Sequence, residues 1–184
     1  MPASRTQSIA KCAVLVALLT VSCFFTIPLG PVPFTLQTAV VILIALLCTP
    51  AQAAAATGVY LVMGAVGLPV FSGMTGGIMR ASAGFLFSYV IGSTIASALR
   101  MQLERVGFTS GGKRIAADAI AAACIIVISD VLGWLWIMFF ANLDPLSAFI
   151  TADAPYIAID CAKAAVSIGV AQAVRRALPQ QTSA

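Results

Sequence analysis

Histidine is absent from this chain of 184 residues, and charge is scarce: six acidic and ten basic side chains make up only 9% of it. Without histidine, the commonest general base and the commonest metal ligand are both missing. Cys12, Cys23, Cys48, Cys124 and Cys161 lie within or at the ends of apolar runs and include no C-x-x-C pair. They read as small packing residues rather than zinc ligands or an external disulfide framework, so no metal is expected. At 61% hydrophobic residues and a mean hydropathy of +1.05, the chain has more apolar surface than a soluble domain of this size can bury. It is expected to be an integral membrane protein. The net charge of +4 does not point to nucleic acid, because the basic residues fall at the ends of apolar segments and not on one polar face.

Six apolar segments follow one another, from Ile9 to Ile27, Leu36 to Leu47, Ala51 to Val66, Phe85 to Leu103, Ile115 to Phe140 and Ala154 to Val174. Continuous apolar runs do not show the alternation of barrel strands, so the fold class is all-α: a six-transmembrane-helix bundle forming a single membrane domain over residues 1–184. The second and third segments are short and meet at Cys48, Thr49 and Pro50, which reads as a helical hairpin. Arg5, Lys11, Arg100, Arg105, Lys113, Arg114, Arg175 and Arg176 all fall on one side of such a bundle. The positive-inside rule makes that side cytoplasmic, with both termini inside and outward loops at 28–35, 67–84 and 141–153.

The last segment carries Asp160 and Lys163, three residues apart and so on one helical face. An acid and a base at that depth are costly unless they pair or face a polar cavity. They mark a ligand site or, alternatively, an ion pair that holds helices in register. The first outward loop has Pro28, Pro31 and Pro33, which forbid helix and stiffen the chain, followed by Phe34, Thr35 and Gln37 at the mouth of the second helix. That chemistry suits a lid over a small molecule, although a simple connector is the alternative. In the second outward loop, Gly73, Gly76 and Gly77 permit a tight turn, and Arg80 is the one cation expected outside. It can meet an anionic ligand group or a lipid phosphate. Ala13 and Ala17 form a small-xxx-small pair, suited to a partner helix or to packing within the bundle.

Three other patterns lead to weaker chemistry. Asp130 and Asp160 could form an intramembrane proteolytic dyad, but Lys163 one turn away favours ionisation of both; Asp130 is expected instead to bond a neighbouring helix, and no enzyme is expected. Gly107 to Lys113 has the spacing of a phosphate-binding loop, yet Arg114 replaces the required hydroxyl residue and no strand precedes it. Leu19 to Cys23 approaches a lipoprotein cleavage site, but Thr20 stands where an aliphatic residue belongs, so the segment is read as a retained span.

Three motifs occur in order: GPVPFTLQT from Gly30 to Thr38, GLPVFSGMTGG from Gly67 to Gly77, and Asp160-x-x-Lys163. Together they resemble the biotin-specific substrate-binding (S) component of energy-coupling factor transporters. The resemblance implies a six-helix S component of the cytoplasmic membrane that captures biotin from outside. It would dock through Ala13 and Ala17 on a transmembrane coupling (T) subunit driven by two ABC-type ATPases, with no cofactor of its own. Asp160 would then accept from the ureido N–H groups, while Lys163 donates to the ureido carbonyl or supports the carboxylate. Phe34, Trp134 and Trp136 would contact the apolar rings, the tryptophans serving alternatively in an interfacial belt. Ser82-Ala83-Gly84-Phe85 stands where the family usually has Thr-Gly-Gly-Tyr, and Ile159 stands where it tends to have glycine. An S component for another small vitamin, a solitary biotin carrier without ATPases and a purely structural membrane subunit are the competing readings.

Overall fold

The computed structural model describes residues 5–27 and 32–177. Helix α1 (Arg5–Val21) runs into a 3-10 turn (Ser22–Phe24), and a short antiparallel ribbon follows, β1 (Thr26–Ile27) with β2 (Phe34–Thr35). Pro28 and Pro31, expected to stiffen this loop, lie outside the described residues. The remaining helices are α2 (Gln37–Leu47), α3 (Pro50–Ala65), α4 (Ala83–Arg105), α5 (Gly111–Phe140), α6 (Pro145–Ala152) and α7 (Ile157–Ala177). Among the described residues, four segments are long and apolar enough to cross a membrane: Thr6–Phe24, Ala83–Arg105, Gly111–Phe140 and Ile157–Ala177. The 11 residues of α2 reach about 16 Å, roughly half the thickness of a hydrocarbon core.

The turn between α2 and α3 is built as its sequence suggests. Thr49 caps α3, accepting from the Gln52 N–H at 3.4 Å while the Gln52 side chain accepts from the Thr49 N–H at 3.2 Å, and Pro50 opens the helix. The two helices nevertheless choose different main neighbours, which corrects the simple hairpin. Helix α2 is apolar on every side and enters the middle of the bundle against α4, α5 and α7; α3 lies chiefly along α4 and α1. The loop 141–153 also contains more order than a connector. Asp144 accepts from the Ser147 N–H at 3.1 Å and Pro145 takes the first helical position, so α6 starts there. The Ser147 hydroxyl and N–H hold the Asp144 carboxyl below its ordinary value.

Hydroxyl groups tie the spans to one another. Ser88 donates to Ser129 at 2.8 Å between α4 and α5, Thr57 and Ser93 lie 3.3 Å apart between α3 and α4, and Ser97 donates to the Cys48 carbonyl at 2.6 Å. The basic residues gather at one end of the bundle. Arg175 of α7 bonds both oxygens of Asp118 of α5, at 2.6 and 3.1 Å, and also the Leu46 carbonyl at the end of α2. Gln172 donates to the same Asp118, and Arg100 and Arg114 hold Glu104 at 2.6 and 3.7 Å.

Candidate ligand site

At the opposite end, the beginnings of α2, α4 and α7 converge with the ribbon on a cavity of about 40 Å³. Five residues singled out in the sequence line it together: Phe34 and Thr35 of β2, Gln37 of α2, and Asp160 and Lys163 of α7. Asp160 and Lys163 are each 8% exposed, and the Lys163 ammonium donates to Asp160 Oδ1 at 2.7 Å. The same ammonium stands 4.4 Å from the centre of the Phe34 ring, so a carboxylate and an aromatic face hold the charge together. Among the described residues, nothing bonds Asp160 Oδ2. That leaves an acceptor available on a side chain that lines the cavity.

Residues 67–82 form a strap beside the cavity, which Ser72 and Ser82 line. Phe71 anchors the strap, fully buried and edge-on to Tyr60 at 5.5 Å between ring centres. It sits against Gly64, where a Cβ would run into the Phe71 ring. Phe71 and Thr75 exchange backbone hydrogen bonds at 2.9 and 3.2 Å, and the Gly73 N–H reaches Thr26 Oγ1 at 3.2 Å, joining strap to ribbon. A second latch joins the turn before α7 to the first loop, where the buried Tyr156 hydroxyl donates to the Val32 carbonyl.

Arg80, Trp134 and Trp136 do not line the cavity, contrary to expectation. Arg80 spends its guanidinium on the strap, donating to Thr75 Oγ1 and to the Ser72 carbonyl, with the Phe71 ring 6.0 Å away. Burial pulls its pKa below the ordinary value. Trp136 donates to the Arg80 carbonyl at 2.9 Å and stacks on Phe140, while Trp134 donates to the Pro145 carbonyl at 2.8 Å and ties α5 to α6. Both indole N–H groups are therefore taken up by backbone carbonyls beside the cavity. Asp130 makes no hydrogen bond or ion pair among the described residues, so the expected helix–helix bond is not formed.

Several residues of the site carry no motif in the sequence. Tyr60, Tyr89 and Tyr156 are all the tyrosines of the chain, all are buried, and all gather at this end. A phenol within an apolar run needs a partner for its hydroxyl, which is the signal by which they could have been found. Asp153, in the turn between α6 and α7, is 1% exposed, and neither of its carboxylate oxygens is bonded among the described residues.

A larger hollow of about 820 Å³ runs between α1 and α3. Ala13, Ala17 and Thr20 line one side and Ala55 and Val59 the other, with Ala13 and Ala17 exposed. Lacking convergent polar groups, it is an apolar groove on the helix faces and not a pocket that could orient a polar ligand.

A solved structure shares this architecture, and several sequences are related to the chain. A crystal structure of the S-component for biotin from an ECF-type ABC transporter matches the fold with a TM-score of 0.87 at 22% identity, covering 96% of this chain and 94% of that one. The probable biotin transporter BioY of Pyrococcus horikoshii is 29% identical over 171 residues, 91% of this chain and 96% of that protein. The biotin transporter BioY2 of Lactococcus lactis subsp. cremoris is 29% identical over 185 residues, 97% of this chain and 95% of its own length. That of Thermotoga maritima, BioY, is 35% identical over 101 residues, 53% of this chain and 60% of that protein. The family model for BioY matches residues 1–180, nearly the full length, and the chain belongs to the BioY family.

Proposed function

We propose that this protein captures biotin from outside the cell as the S component of an ECF-type transporter. The observation that carries the reading is the buried Asp160–Lys163 pair on a cavity that Phe34, Thr35 and Gln37 also line. A ureido ring has two N–H donors and a carbonyl acceptor, and each group buried without a partner costs roughly 1 to 3 kcal/mol. Asp160 accepts from an N–H, Lys163 donates to the carbonyl, and Phe34 and Phe85 flank the apolar rings. In this reading α2 and α3 are short crossings that complete six, both termini are cytoplasmic, and the basic end faces the cytoplasm. The α1–α3 groove, with Ala13 and Ala17, receives the T subunit, and two partner ATPases supply the energy. The chain itself performs no catalysis and holds no cofactor.

Binding of radiolabelled biotin to the purified protein tests the reading directly. Asp160→Asn removes the acceptor charge and is expected to weaken binding by about tenfold or more. Unchanged affinity would leave Asp160 and Lys163 as a pair that serves only helix packing.

A further inference from the structure

Tyr60 belongs to α3 and does not line the cavity, yet its hydroxyl joins two parts of the site. It stands 2.8 Å from the Val70 carbonyl oxygen in the strap and accepts from the Gln37 side-chain amide. Tyr60 is 1% exposed and Gln37 2% exposed, so water does not compete for these bonds. The direction of the chain follows from counting protons. A carbonyl oxygen can only accept, so the proton between Val70 and Tyr60 belongs to the phenol. Having given its one proton away, the phenol oxygen can only accept from Gln37, and the NH₂ end of that amide must face it. The carbonyl end, Oε1, bonds nothing among the described residues, and Gln37 lines the cavity.

We infer that Tyr60 is a positioning residue that fixes the polarity of the Gln37 amide, so that the cavity presents a second acceptor beside Asp160 and selects ligands with two N–H donors, as in a cyclic urea. This rests on the reading that the cavity takes the ureido ring of biotin. The Val70 carbonyl, held in a strap that Phe71 pins against Gly64, is the fixed end of the relay. Without the phenol the amide is free to turn its NH₂ end toward the ligand, where donor would meet donor.

The test uses the purified full chain with labelled biotin and the two analogues in which one or the other ureido nitrogen is methylated. Wild type is expected to reject both analogues. Tyr60→Phe keeps the ring on Phe71 and is expected to weaken biotin about tenfold while barely changing one analogue, so that one selectivity ratio falls about tenfold and the other is kept. Gln37→Met, which removes the amide and leaves the Tyr60–Val70 bond, is expected to lower the same ratio. Adding Tyr60→Phe to Gln37→Met is then expected to cost little more, because both changes act through one contact. Equal losses for biotin and both analogues in Tyr60→Phe, or an unchanged ratio in Gln37→Met, would overturn the inference. Failure of wild type to bind biotin would instead overturn the underlying reading of the cavity.

Discussion

Asp153 stands out among single residues because both of its carboxylate oxygens are buried with no partner among the described residues. Burial, and then the negative charges of Asp130 and Asp160, push its pKa from an ordinary 3.8 up to about 7. The folded protein therefore holds this proton more tightly than the unfolded chain does. Stability contributed by that difference is fully present below the ordinary value and is lost as pH rises through about 7. Unfolding followed between about pH 5 and about pH 8 is expected to show a falling midpoint in wild type and a flatter profile in Asp153→Asn. Parallel profiles for the two proteins would count against a buried proton at this position. Asp160, by contrast, has a partner, since the Lys163 ammonium donates to its Oδ1 at 2.7 Å.

At the scale of helices, the Asp118–Arg175 bond joins α5 to α7, and the same arginine closes on the end of α2. Asp118 is 1% exposed, so removing its charge leaves a buried guanidinium without its anion. Asp118→Asn is expected to lower unfolding stability by roughly 3 kcal/mol. Because the cavity lies at the other end of the bundle, biotin affinity in the same variant is expected to stay within about twofold. Much of this arrangement was legible beforehand. Two opposite charges three residues apart in an apolar run have few inexpensive explanations, so Asp160 and Lys163 could be singled out, and Phe34, Thr35 and Gln37 followed from their place at a helix mouth. The central position of α2 was not legible, because a segment apolar all round displays no preferred face. The tyrosines were missed because an amphipathic ring fits an interface as readily as a buried relay. The start signal of α6, Asp144 followed by Pro145, was present but lay in a segment too short for apolar periodicity to reveal.

For the molecule as a whole, the cavity and the α1–α3 groove divide the surface into a polar site at one end and an apolar flank. Replacing both Ala13 and Ala17 by leucine fills the flank and is expected to leave biotin binding intact while reducing uptake in cells that hold the partner subunits. Undiminished copurification of those partners would remove the groove from the assembly. The size of the cavity has a further consequence. At about 40 Å³ it is far below the roughly 300 to 1,000 Å³ of a small-molecule site, so a vitamin-sized ligand requires the lining to move apart, and the Tyr156–Val32 and Gly73–Thr26 bonds are two that hold the loops around it. A site that must widen before it fills takes up its ligand more slowly than diffusion delivers it, and gives it up by the same route.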